Sequence, residues 1–390
     1  MTKVKLALIV CLSVLVTFGL SGTALAFHGG GVAHCDGCHT MHNSAANPIG
    51  SAAVANSKLL KGTDSSSTCL NCHNGGGGYH VASTDGSNKS QGGDFYWVKN
   101  PWSVTAYGST TTNGGHNIVA ADYAFSADAD VNRQTAPGGT YAASKLGCTS
   151  CHDAHGQVNG GTKQGSGAIS VSGSYGAADP TDGTIHGNYR LLGDAAYVAG
   201  DHVSDGYSFN NAAPVARANA SNGTSVDYGS GMSEWCANCH NGFLAGGSAS
   251  HKHPAGNDVH LNGFGTNYNS YVSTGNFTGD VATSYDSLVP FERGQTDGSL
   301  LDPTNTIGPD ANSNVSCLTC HRSHASAHPS MGRWDFAEEL LAESHALELQ
   351  TAGTIPATAA VYYKNGATID VATAYGTFQR SLCNKCHVQD

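Results

Sequence analysis

The sequence predicts a single domain of mostly irregular coil, with few short helices and one β-hairpin, organised around bound groups rather than around its own side chains. Three observations predict it. Glycine supplies 51 of the 390 residues, nearly double the usual ~7% share. Charged residues are only 12%, and long stretches of Ser, Thr, Asn and Gly fill the intervals between short motifs. Such a chain has poor helix and strand propensity and cannot readily bury enough apolar surface alone. Finally, one cysteine-containing pentapeptide recurs along the whole chain.

The first element is a leader. Lys3 and Lys5 precede an apolar run from Leu6 to Leu20 and then Ala24-Leu25-Ala26, the three parts of a secretory signal peptide. Cleavage after Ala26 assigns residues 1–26 to the removed signal and 27–390 to one domain. The apolar run is too short and wrongly flanked for a membrane anchor, and no later stretch can span a bilayer. Without Lys3 and Lys5, 16 basic residues face 29 acidic ones, a net charge of −13. An acidic chain repels nucleic acid and anionic lipid, so neither is an expected partner.

Cys11 goes with the leader, and every other cysteine belongs to a Cys-x-x-Cys-His motif. These are Cys35-Cys38-His39, Cys69-Cys72-His73, Cys148-Cys151-His152, Cys236-Cys239-His240, Cys317-Cys320-His321 and Cys383-Cys386-His387. This spacing is that of covalent haem attachment: two thiols add to the haem vinyl groups and the adjacent imidazole binds the iron. Zinc sites do not require a histidine after each second cysteine, and disulfide frameworks do not repeat one pentapeptide. The expected cofactors are six haem c groups with their iron. Large flat apolar plates would supply the missing core.

Fourteen histidines lie outside the motifs, against three methionines (Met41, Met232, Met331) beyond the initiator. Bis-histidine ligation throughout is therefore expected, with the methionines as packing residues. Three motifs extend to Cys-x-x-Cys-His-x-x-His, adding His42, His155 and His324. A histidine three residues past the proximal one lies on the same side of that haem, so it can serve only a neighbouring iron. The remaining distal ligands are read as His80, His116 and His253. His80 follows the flexible run Gly75 to Gly78, and His116 follows Gly114-Gly115, where backbone can approach closely. His253 precedes Pro254, which favours extended backbone. His28 is the reserve candidate. His345 is set aside on the solvent side of a helix expected near 335–350, with Asp335 and Glu338 as a capping box and Phe336, Leu340, Leu341 and Leu347 on its apolar side. His34, His186, His202, His251, His260 and His328 are read as surface or supporting residues.

The first cysteines of the motifs are 34, 79, 88, 81 and 66 residues apart, intervals too loose for a repeat of fixed period. They read as loops wrapped from haem to haem. A hairpin is expected from Val361 to Val371, turning at Asn365-Gly366.

With these residues in view, the chain resembles the OmcS-type hexahaem cytochromes, which polymerise into extracellular conductive filaments. The resemblance is carried by Phe27-His28 through His42-Asn43-Ser44, Gly92-Gly93-Asp94-Phe95, Gly115-His116-Asn117-Ile118-Val119, Thr135-Ala136-Pro137-Gly138-Gly139, Gly231 to His240, His253-Pro254-Ala255-Gly256-Asn257 and Leu382 to His387. It implies six bis-histidine haems in a continuous stack, sparse secondary structure and head-to-tail homopolymers. It also implies that His42 ligates the iron held by His321 in the adjacent subunit. The extra His34, His186, His202 and His260 depart from the pattern.

The expected function is electron transfer at or beyond the outer cell surface, to redox partner proteins and extracellular acceptors such as ferric oxides. A soluble periplasmic shuttle is the alternative. A multihaem reductase of small molecules needs an open iron, often marked by Cys-x-x-Cys-Lys, which does not occur here.

Overall fold

The computed structural model describes residues 35–40, 59–77, 79–100, 103–104, 110–111, 114–155, 188–200, 205–219, 225–244, 253–341, 362–364 and 367–388. The leader, His28, His34, His42, His186, His202, His251 and His345 lie outside them.

Among the described residues, regular elements are few and short. The helices used below are α1 (Cys35–Cys38), α2 (Ser65–His73), α3 (Tyr96–Lys99), α4 (Cys148–Cys151), α5 (Met232–His240), α6 (Asn262–Ser270), α7 (Cys317–Cys320), α8 (Val371–Tyr375) and α9 (Asn384–His387). Three antiparallel two-stranded ladders join them: β1 (Ser103–Val104) with β2 (Thr110–Thr111), β3 (Val215–Ala218) with β4 (Val226–Ser230), and β5 (Tyr363–Lys364) with β6 (Ala367–Thr368). The last is the expected hairpin. Tyr363 pairs with Thr368 and Lys364 with Ala367; Asn365-Gly366, the expected turn, lies outside the described residues.

The helix expected near 335–350 does not form over its described part. Residues 335–340 are irregular, with a turn at Phe336-Ala337 and a bridge at Leu340, and residues 342–350 lie outside the described set. The Asp335 carboxylate accepts the Ala337 N–H at 2.9 Å, the local bond an N-cap residue makes. Leu341 then donates to the Gln379 carbonyl, and Leu340 bridges to Arg380. The apolar residues read as one stripe are thus used separately. Leu341 enters the core, while Phe336 stands edge-on to His321 at 5.4 Å.

Packing is distributed. Four small apolar clusters form, around Trp334 and Leu288, Tyr228 and Met232, Phe95 and Ile118, and Tyr141 and Phe209. Each packs against at least one motif cysteine: Cys320 and Cys386, Cys236, Cys148, and Cys239 respectively. The side-chain core is therefore a set of islands beside the motifs.

Candidate haem-binding framework

Each Cys-x-x-Cys lies on a turn of helix: α1, the end of α2, α4, the end of α5, α7, and Cys383 with α9. Helical residues three apart share a face, so each turn sets two thiols side by side with an imidazole just beyond. None of the motif cysteines from Cys38 to Cys386 is in a disulfide. No group of three or more His, Cys, Asp or Glu able to hold a metal ion occurs among the described residues.

The turns come in coupled pairs. The Ser66 hydroxyl on α2 accepts the Cys148 N–H at 2.9 Å, and the Ser233 hydroxyl on α5 accepts the Cys317 N–H at 3.0 Å. In both pairs the leading thiols, Cys69 with Cys148 and Cys236 with Cys317, lie close enough to act on each other. Sequence reasoning missed this repeated two-motif unit. Its signal was the near-equal gaps of 79 and 81 residues and a serine three positions before Cys69 and Cys236.

Four proximal imidazoles face a second imidazole at a common spacing. Ring centroids are 6.5 Å apart for His39 and His155, 6.2 Å for His152 and His324, 6.0 Å for His240 and His116, and 5.9 Å for His387 and His253. Two imidazole nitrogens each about 2 Å from one metal, with the ring radii added, put centroids roughly 6 Å apart. His73 has His80 close enough for its charge to act on it, with Tyr79 stacked on His80 at 4.4 Å. Among the described residues no imidazole faces His321 at this spacing, and its ring neighbour is Phe336.

The tautomers suit ligation. Nδ1 of His73, His152, His240 and His321 lies 2.8–2.9 Å from the carbonyls of Tyr79, Arg190, Pro137 and Ser330. Nδ1 of His80, His116 and His253 bonds the carbonyls of Gly77, Ser323 and Pro254 in the same way. A carbonyl only accepts, so Nδ1 carries the proton and Nε2 keeps its lone pair for a metal. Burial lowers the pKa of His73, His152, His240 and His321, and pushes His116 down to about 4 and His324 to about 3. These rings are neutral at ordinary pH, as a ligand must be.

His116 and His324 are placed by one backbone clasp. The segment at 324–326 is gripped between 92–94 and 114–116: His324 donates to the Gly92 carbonyl at 2.7 Å, His116 to the His324 carbonyl at 3.0 Å, and Ser326 to the Gly114 carbonyl at 2.7 Å. A Cβ on Gly115 would meet Ala325 Cβ at 2.4 Å, and one on Gly93 the Ala325 carbonyl at 1.8 Å. The close approach expected at Gly114-Gly115 is therefore real. Its object is the segment that carries the other ligand.

No protein-family model matches the chain. It is 40% identical to the C-type cytochrome OmcS of Geobacter sulfurreducens over a 419-residue alignment covering 94% of this chain and 95% of that protein. The chain belongs to the OmcS family of c-type cytochromes. Two solved structures, of the outer membrane cytochrome S filament and of OmcS nanowires from the same organism, each superpose with a TM-score of 0.73 at 37% identity. Each match covers 93% of this chain and 100% of the other.

A c-type cytochrome binds haem c covalently through its iron-ligating motifs, and the helical turns and imidazole pairs of this OmcS-type chain fit that group. The other histidines divide. His260 is exposed. His328, read as a surface or supporting residue, is not at the surface: it is 1% exposed, with its ring 4.9 Å from Tyr362. Met232 is buried in an apolar cluster, the packing role expected of it. No described helix is long and apolar enough to cross a membrane.

Proposed function

We propose that this OmcS-type cytochrome is a secreted electron carrier, a homopolymer that moves electrons through six covalently held haems per chain to acceptors outside the cell, ferric oxides among them. The observation that supports this is the set of four imidazole pairs near 6 Å, in which His39, His152, His240 and His387 are each matched by one distal ring. Haem iron supplies reversible one-electron chemistry. At the matched pairs the chain's own residues would supply two imidazole nitrogens to the iron and leave no place for substrate, an arrangement that suits transfer without bond formation. That speaks for a carrier, against a reductase with an open iron.

The ligand sets of this proposal are His39 with His155, His73 with His80, His152 with His324, His240 with His116, and His387 with His253. They contain an internal rule. The first, third and fifth motifs are those written His-x-x-His. His155 of the third faces His39 of the first, and His324 of the fifth faces His152 of the third. Each extra histidine thus serves the motif two places earlier. His42 of the first motif has no motif two places earlier in its own chain, and the fifth motif has no His-x-x-His motif two places later. Continuing the step sends His42 to His321 of the preceding subunit, a heterologous contact that propagates an open filament.

The variant His42→Ala tests this. Its chains should retain six haems by intact mass, lose or shorten their filaments, and show one high-spin haem per chain by electron paramagnetic resonance. Normal filaments would eliminate His42 as the link. Wild-type secreted material that stays monomeric under the electron microscope would favour the periplasmic shuttle.

A further inference from the structure

Two arginines are buried beside the fifth motif. Arg322 follows His321 directly and is 3% exposed, while Arg333 is 1% exposed. Arg333 is built into the motif's turn. Its backbone N–H donates to the Cys320 carbonyl at 2.8 Å, and its Nε donates at 2.6 Å to the carbonyl of Leu318, between the two cysteines. Nη1 donates to Gln91 Oε1 at 2.6 Å and to the Ser287 carbonyl at 3.2 Å. Nη2 is buried with no partner among the described residues.

Every acceptor of this guanidinium is neutral. Among the described residues no carboxylate lies within 4.0 Å of it, whereas half-buried Arg293 has Asp227 at 2.7 Å and half-buried Lys364 has Asp286 at 2.9 Å. The nearby carboxylates are turned elsewhere: Asp335 to the Ala337 N–H, Glu292 to the Met232 N–H and Glu234 to the Asn257 N–H. A buried charge without an ion pair is costly, and arginine cannot discard its proton.

We propose that Arg333 sets the reduction potential of the haem held by Cys317, Cys320 and His321, keeping it above the value bis-histidine ligation alone gives. The inference rests on the reading of this turn as a haem site. One electron enters and no bond changes, so the iron loses one positive charge, and a fixed cation beside it favours that state. A unit charge about 10 Å from such a centre, at an effective dielectric constant of ~20, changes the equilibrium by roughly tenfold. On the reading above this haem sits at the subunit junction, and a raised potential would hold an electron there.

The test is a spectroelectrochemical titration of filaments, resolved into one-electron waves, for the wild type, Arg333→Gln, Arg333→Lys and Gln91→Glu. Gln91→Glu keeps the arginine and sets a carboxylate against Nη1. In Arg333→Gln and in Gln91→Glu, one wave should move negative by about tenfold in its equilibrium, 59 mV for one electron, with the other five less affected. Arg333→Lys should keep the wild-type wave. If no wave moves, or all six move together, the proposal is wrong. Intact mass is read on the same samples: five haems in the wild type would overturn the haem-site reading instead. Should Arg333→Gln alone lose a haem, Gln91→Glu decides.

Discussion

At the scale of the residue, Glu292 shows how position alone sets charge. Its side chain is fully buried, and its Oε1 accepts the Met232 N–H at 2.7 Å, at the start of the helix that carries Cys236, Cys239 and His240. Burial pushes its carboxyl up to about 8 from an ordinary 4.5, with Glu234 adding to the rise and the Met232 bond opposing it. The folded state therefore holds this proton where the unfolded chain releases it. Its contribution to stability is complete below pH 4.5 and is lost as pH rises through about 8. Glu292→Gln keeps an acceptor for Met232 and removes the ionisation. The variant should flatten the fall in stability between pH 5 and pH 8 and be more stable at pH 8 by on the order of a few kcal/mol. Denaturant melts followed by circular dichroism at both pH values check this, and parallel pH profiles for the two proteins would refute it.

At the scale of the element, the clasp at 92–94, 114–116 and 324–326 matters more than any helix. It ties the ligand facing His152 to the ligand facing His240 through three backbone hydrogen bonds. Gly115→Ala puts a methyl 2.5 Å from the His324 carbonyl, so the strands must part. We expect high-spin character at two haems together, those of His152 and His240, in electron paramagnetic resonance of the oxidised variant. A change at one alone would show that the clasp does not couple them. At the paired turns, Ser233→Ala leaves the Cys317 N–H without its acceptor, which should cost about 1–3 kcal/mol in a denaturant melt. Sequence reading saw part of this level. Asn365-Gly366 between two apolar runs specifies a hairpin locally, and it forms. Asp335 to Leu347 carries a helical pattern as well, but Leu341 pairs with Gln379 and Phe336 turns to His321. Over the described residues 335–341, contacts made far along the chain take these side chains, and no window of neighbouring residues records them; residues 342–350 lie outside the described set.

At the scale of the whole molecule, the predicted composition is six haems per mature chain. Intact mass should exceed the polypeptide by six haems, and the oxidised filament should be low-spin throughout. A shortfall of one haem, or a strong high-spin signal that binds cyanide, would count against the reading. The general plan was legible because its chemistry is local: Cys-x-x-Cys-His is complete within five residues. The distal set was legible only as candidates. Which of His80, His116, His155, His253 and His324 meets which motif depends on contacts such as His116 with His240, which are 124 positions apart. The bonds that hold these rings have a consequence for how such a chain can vary. Their acceptors are main-chain oxygens of Gly77, Tyr79, Pro137, Arg190, Pro254, Ser323 and Ser330, residues with no side-chain chemistry in common. Any amino acid brings the same oxygen to that place. The loops can therefore exchange most of their side chains over time while the imidazoles stay aimed, provided the path of the backbone is kept.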